Sequence, residues 1–298
     1  MPAQIHRFLT SEELRDLNRL TVQSRYVVEG SLAGRHRSPF RGASSEFADH
    51  RAYIPGDDVK RLDWKVLGRT ERHYIRRYED ETNLRVYLAV DRSASMDYGS
   101  AGGTKFQYAV RLAVALGYVV VRGRDAVGLY LFSEDIDDSV GAGNSLLHFS
   151  GLLERLDRAR AQGGTHTAKA LHRIAEDIQR RALVVLISDL WDDPEEIARA
   201  LAHFRRQHHD VIVLHVLDPA ELELPFPRGA EFEDMETGEV IAVDTRGIRD
   251  EYRRLVEEFL EGYRQICAQL NMDYRLVRTG QPLTRFVRAY LEERKKLH

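Results

Sequence analysis

Cysteine is almost absent. Cys267 is the only one in 298 residues, so no disulfide framework can form within the chain, which fits a reducing compartment. Long hydrophobic runs are missing too. The longest, Leu112 to Val121, is interrupted by Gly117 and falls well short of the ~20 apolar residues that span a bilayer. The opening M-P-A-Q-I-H-R-F-L-T has no apolar core like that of a signal peptide, and the expectation is a cytoplasmic protein. Charge of one sign is also scarce. A formal net charge of -3 marks neither a nucleic-acid binder nor an acidic tail. There is no internal repeat or low-complexity tract, and no G-x-S-x-G elbow, G-K-[ST] phosphate loop or H-E-x-x-H pair.

What is present is an ordinary globular composition, 43% apolar and 31% charged. The length suits one large domain with an appendage. Ser11 followed by Glu12 and Glu13 reads as a helix start, and Leu14, Leu17, Leu20 and Val27 carry a helical stripe towards Gly30. Residues 31–45 read as a loop. The segment from Glu46 to Thr70 is dense in charge, with a Pro55-Gly56 turn and a short helix capped by Asp57 or Asp58. Leu62, Trp64, Val66 and Leu67 give that helix buried faces, and Arg72 to Glu79 alternates enough to be a strand. Between Arg25 and Tyr78 twelve Lys and Arg stand against seven Asp and Glu.

From Leu84 the pattern becomes strands separated by helices. Strands are predicted at Leu84–Val90, Ala126–Phe132, Ala182–Ser188, Val211–Leu217 and Asp273–Val277, with a short edge strand at Asp135–Val140. Helices are predicted from Phe106, Leu146, Ala168, Pro194, Tyr252 and Leu283. This alternation predicts an α/β fold with a doubly wound, mostly parallel sheet. Phe232 to Val243 breaks the rhythm with a Thr237-Gly238 turn and reads as a hairpin insertion near 230–245. The expected organisation is an amino-terminal appendage over 1–82 and a sheet domain over 83–298.

The most informative stretch is L-R-V-Y-L-A-V-D-R-S-A-S-M, from Leu84 to Met96. An apolar strand stops at Asp91, and Ser93 and Ser95 follow at spacing two, so their side chains share a face when extended. Gly163-Gly164-Thr165-His166-Thr167 opens a later helix, and Asp189 ends the strand Ala182–Ser188. In a doubly wound sheet the carboxyl ends of the strands share one edge, where ligands collect. Two carboxylates and three hydroxyls suit Mg²⁺, with Mn²⁺ an alternative, and leave a coordination position open. An acidic residue of a protein partner could fill it.

D-R-S-A-S, G-T-H-T and the strand-ending Asp189 resemble, in order and context, the metal-ion-dependent adhesion site of von Willebrand factor A domains. That resemblance implies a von Willebrand factor A or Rossmann-like sheet, with Ser93, Ser95 and Thr165 touching the ion and Asp91 and Asp189 bound directly or through water. Thr167 is the rival of Thr165. R-A-Y-I-P-G-D-D-V-K-R-L-D-W-K-V-L-G-R-T ahead of the first strand, and D-P-A-E-L-E-L-P-F after Val211–Leu217, resemble the bacterial family catalogued as domain of unknown function fifty-eight. Members are typically encoded beside MoxR-type AAA+ ATPases. The resemblance therefore implies an adaptor that works with such an ATPase, or with its client, in assembly or maturation of complexes. Candidate partner contacts are His166, Thr167 and Trp191 near the site, and Asp57, Asp58 and Trp64 in the amino-terminal segment. That segment equally reads as a lid whose acids pair with Arg51, Arg61 and Arg69.

Other classes fit less well. A metal-dependent phosphoesterase would need a second carboxylate where Ser93 stands, and no nucleophile or acid–base pair is evident. Nucleic-acid binding through Arg35, Arg37, Arg41, Arg51, Lys60 and Arg61, with Tyr53 and Trp64 interleaved, is diluted by neighbouring acids. His203, His208 and His209 lack a zinc pattern and read as surface residues.

Overall fold

The computed structural model describes residues 3–22, 46–52, 66, 68, 74–79, 84–100, 102–164, 166–227, 229–233 and 239–296. Two compact units divide the chain, Met1–Arg25 with Leu84–His298, and Tyr26–Asn83. In the smaller unit β1 (Glu46–Ala52) pairs antiparallel with β2 (Tyr74–Glu79). The second strand was legible from its alternation, whereas F-A-D-H-R in the first carries no period-two pattern. Asp57, Asp58 and Trp64 lie outside the described residues, as does most of the basic segment weighed for nucleic acid.

The larger unit holds a six-stranded sheet. Its strands are β3 (Arg85–Asp91), β4 (Ala126–Phe132), β5 (Ile136–Gly143), β6 (Leu183–Ser188), β7 (Asp210–Leu217) and β10 (Asp273–Arg278), in the order β10-β7-β6-β3-β4-β5. All neighbours run parallel except β5, an antiparallel edge strand. β4, β6 and β7 are buried along their whole length, as continuous apolar strands must be when helices cover both faces. Each buried Val, Leu or Ile contributes about 1.5–3 kcal/mol, so the strand ends that carry polar groups are held by a rigid frame. The expected excursion appears as a small hairpin, β8 (Ala230–Glu233) with β9 (Val240–Val243). Its Thr237-Gly238 tip lies outside the described residues.

The α-helices of this larger unit, among the described residues, are α1 (Ser11–Leu17), α2 (Lys105–Arg122), α3 (Leu146–Arg158), α4 (Thr167–Asp177), α5 (Pro194–Arg206), α6 (Pro219–Glu223), α7 (Thr245–Gln269) and α8 (Leu283–Lys296). On one face α2 packs on β3 and gathers α1, α3 and α8 around it. On the other, Leu171 and Ile174 of α4, Leu201 and Phe204 of α5, and Tyr263 and Cys267 of α7 share a core with Ala89, Val184 and Val213 of the sheet. The helix at Ser11 is thus part of the sheet unit, whereas the sequence groups it with residues up to 82. Arg111 ties it down through the Phe8 carbonyl (3.0 Å) and Glu13 (2.7 Å). It is also shorter than the stripe implies and ends at Asn18, whose side chain accepts the Tyr118 hydroxyl at 2.6 Å.

At the amino edge of the sheet Arg294 is buried between two aspartates. It pairs with Asp210 at 2.6 Å and with Asp273, and Tyr290 donates to Asp273 at 3.1 Å. This cluster fastens α8 to β7 and β10. At the opposite edge β3 feeds β4 on one side while β6 lies on the other. That reversal makes the cleft outside the carboxyl ends of β3 and β6 the topological switch point.

Candidate metal centre

Three loops meet at this switch point. Asp91 closes β3 and is fully buried, as is Ser93, while Ser95 is half-buried in the short turn Ala94–Asp97. The Ser93 N–H donates to Asp91 Oδ1 at 2.9 Å, and the Ser93 and Ser95 hydroxyls are 3.1 Å apart. The second loop is stitched to the first: Ala94 N–H donates to the Gly163 carbonyl (2.9 Å) and Gln162 N–H to the Arg92 carbonyl (2.7 Å). Gly163 has φ +93°, a left-handed conformation that favours glycine. Thr165 lies outside the described residues. Thr167 opens α4 fully buried, and among the described residues its Oγ1 has no hydrogen-bond partner. The next residue, Ala168, donates its N–H to Asp192 Oδ2 at 3.0 Å and so joins the loop after β6.

That third loop starts at Asp189, fully buried at the end of β6. Ser188 donates its hydroxyl to Asp91 Oδ2 at 2.6 Å, and its Oγ accepts the Leu190 N–H at 2.9 Å. Leu190 itself has φ +53°, a strained value for a branched residue that persists only where packing fixes it. Here Leu190 is buried and its carbonyl accepts the Tyr263 hydroxyl at 3.0 Å. The Asp189 side chain is divided. Its Oδ2 receives Lys105 Nζ at 2.7 Å, and its Oδ1 is buried with no partner among the described residues. Lys105 also reaches Glu221 at 2.5 Å. His215 Nε2 lies 2.8 Å from the Asp189 carbonyl and Nδ1 lies 2.8 Å from the Tyr274 hydroxyl. Burial holds this imidazole at about 4, so the neutral ring donates to Asp189 and accepts from Tyr274.

The electrostatics follow from this geometry. Burial first, then the Asp189 carboxylate, push the Asp91 carboxyl up to about 7 against the hydrogen bonds from Ser188 and Ser93. Burial works against the Lys105 ammonium, but Asp189 and Glu221 outweigh it and hold its pKa above the usual lysine range. Glu221 is raised by burial, with Lys105 opposing. The lysine charge is thus shared between Asp189 and Glu221, and Asp91 has no cation partner among the described residues while the Asp189 carboxylate acts on it. The Asp91 and Asp189 carboxylates, the Ser93 and Ser95 hydroxyls and the Thr167 hydroxyl on the adjoining helix turn make an all-oxygen donor set. Such a set suits a small hard divalent cation, and an unsatisfied buried polar atom is costly without a ligand. Among the described residues no group of three or more His, Cys, Asp or Glu is placed to hold a metal, so a cation here would depend on the hydroxyls.

Of the residues expected from sequence, the fold brings together Asp91, Ser93, Ser95 and Asp189, with Thr167 on the adjoining helix turn. Thr167, also considered for a partner surface, is buried. His166 is exposed before α4, and Trp191 is 39% exposed and stacked on Phe259 at 4.9 Å. Sequence reasoning passed over Lys105, Glu221, His215 and Asp218. Lysine in the first turn of a helix opposes the helix dipole, which was the available signal for a carboxylate partner. Asp218 ends β7 as Asp189 ends β6. Burial raises its carboxyl, but bonds from Ser100, Ala220 and Thr279 outweigh this and leave its pKa below the usual range. It is fully used in closing the 99–100 loop and carries no orphaned atom. His209, read as a surface residue, is 1% exposed and accepts the Ala182 N–H at 3.2 Å.

The fold and site together define a doubly wound α/β protein with a buried aspartate and hydroxyl cluster at its switch point. The family described as "Protein of unknown function DUF58" matches residues 49–260, and the chain belongs to that family. Uncharacterized proteins of Mycobacterium bovis and Mycobacterium tuberculosis are 31% identical over 245 residues, covering 79% of this chain and 74% of theirs. Among solved structures, the conserved hypothetical protein BatB from Bacteroides thetaiotaomicron is 17% identical with a TM-score of 0.46, covering 72% of this chain and 98% of its own. The SpRpn10 VWA domain is 10% identical with a TM-score of 0.39, covering 67% and 91%. Among the described residues no helix is long and apolar enough to cross a membrane.

Proposed function

We propose that this protein is a Mg²⁺-dependent protein-interaction module that docks an acidic residue of its partner onto a cation at the switch point. The observation that carries the reading is a pair of buried oxygens without a partner among the described residues, Thr167 Oγ1 and Asp189 Oδ1, in segments joined to the loop that carries Asp91, Ser93 and Ser95. Asp91, Ser93, Ser95, Asp189 and either Thr165 or Thr167 would hold the ion, which would supply a Lewis-acidic point for a partner carboxylate. Ser188 and the Ser93 N–H orient Asp91, and Lys105 fixes Asp189 through one oxygen and leaves the other for the ion. With Asp91 and Asp189 holding the ion through water, its direct donors would be neutral hydroxyls, which leave its charge available to an anionic ligand. The family resemblance makes a MoxR-type AAA+ ATPase, or a client it remodels, the leading partner.

The test is a pull-down of the MoxR-type ATPase encoded nearest this gene, run with Mg²⁺ and with a chelator. Retention is expected only with Mg²⁺ and is lost in Asp91→Ala and Ser93→Ala variants that keep the wild-type circular dichroism. Equal retention in chelator would sink the mechanism.

A further inference from the structure

The loop that carries Asp91 also borders a hollow of about 600 Å³ on the β4–β5–α3 side, lined by Arg92, Arg155, Arg158 and Arg160 among others. Only Asp138 and Glu154 oppose these four guanidinium groups within the lining. Their neutralisation is uneven. Arg155 is paired with Asp138. Arg158 reaches Glu154 only at 3.8 Å along its own helix, and Arg92 lies 3.6 Å from Asp137. Arg160 donates only to the backbone carbonyls of Asp157 and Ala159, and has no carboxylate partner among the described residues. The Arg92 Nε donates to the Arg160 carbonyl at 2.8 Å, which binds the hollow to the segment leading into Gly163. Hollow and metal loops therefore share the same two chain segments, on either side of Arg92.

We propose that this hollow is a second docking point, for further carboxylates of the acidic protein segment whose first carboxylate meets the metal. The inference rests on the reading above and extends it from one acidic residue to an acidic stretch. Guanidinium forks match carboxylates in paired hydrogen bonds. The volume lies within the range of sites that take several groups and is far larger than one anion needs. The under-neutralised arginines would draw such a segment in and set its direction across the switch point. An acidic run is selected over a lone Asp or Glu, which the metal by itself would accept.

The experiment is fluorescence anisotropy of a labelled oligoglutamate peptide with the full chain, in Mg²⁺ and in chelator, with inorganic phosphate as competitor. Arg158→Glu/Arg160→Glu changes two exposed side chains and should leave the circular dichroism spectrum unchanged. It should weaken the peptide about tenfold or more in both conditions, as expected for reversing two charges at one site. Arg160→Lys should retain most of the affinity. Unchanged affinity in the double variant, or no binding to the wild-type chain, would overturn the inference. Saturation by inorganic phosphate without any peptide binding would also overturn it, by assigning the hollow to a small anion. If Mg²⁺ makes no difference while the double variant still loses affinity, the metal reading fails and the hollow stands.

Discussion

The two ends of the sheet are built from the same parts and differ in completeness. At the amino edge Arg294 sits between Asp210 and Asp273, with Tyr290 adding a hydrogen bond. At the carboxyl edge Lys105 sits between Asp189 and Glu221. The guanidinium has enough donors to serve both its acids, and the cluster joins three elements as a clasp. The ammonium serves one oxygen of Asp189 and leaves Oδ1, with Thr167 Oγ1, buried and unpartnered, while Asp91 stands beside it raised by burial and by Asp189. A buried ion cluster alone therefore says little about function. What separates the two is oxygen: among the described residues the carboxyl edge holds acceptor oxygens without a donor, whereas the unpartnered atom near the clasp is a ring nitrogen, Nε2 of His209.

Removing the cation from the clasp should have the largest effect. Arg294→Met removes the guanidinium from between the buried Asp210 and Asp273 and should cost about 3–5 kcal/mol in urea denaturation, with no recovery on adding Mg²⁺. Lys105→Met should cost about 3 kcal/mol, because Glu221 keeps some contact with solvent. Here Mg²⁺ should return part of the loss, since the ion supplies charge beside Asp189. Equal Mg²⁺ responses in the two variants would erase the distinction between the edges.

A smaller effect concerns pH near the amino edge. Burial holds His209, next to Asp210, at about 4 from an ordinary 6.5. Its folded pKa is depressed, so below pH 6.5 the unfolded chain takes up a proton that the folded chain refuses. Stability should fall as pH drops from 6.5 towards 4, by at most about 1.4 kcal/mol per pH unit from this group. His209→Gln should flatten that slope in denaturant titrations across the window. An unchanged slope would show that His209 is not its source.

How much of this could be read from sequence divides along physical lines. The parallel strands and the oxygens at their ends were legible, because a buried strand must be continuously apolar and Asp91 and Asp189 interrupt that pattern abruptly. The order of chain segments also implied that the two would meet at the switch point. Lys105 was not legible as a site residue, because a lysine ahead of an apolar helix ordinarily faces water. Its burial depends on Glu221, far away in sequence, in a five-residue helix too short to show a period. His215 was hidden for the opposite reason. It lies in an apolar strand, and only the pairing of β6 with β7 shows what it touches. The arginines beside the site are spread over two segments and looked like ordinary surface charge until the fold placed Arg92 next to Arg160.

Binding of a divalent cation at the carboxyl edge is tested by the thermal melting of the full chain against Mg²⁺ concentration, for wild type and Asp91→Asn. For wild type a rise that grows with the logarithm of Mg²⁺ concentration above Kd is expected, equivalent to about 2.7 kcal/mol at one hundred times Kd, with none in the variant. A wild-type curve that does not respond to Mg²⁺, or an equal rise in both proteins, would contradict it.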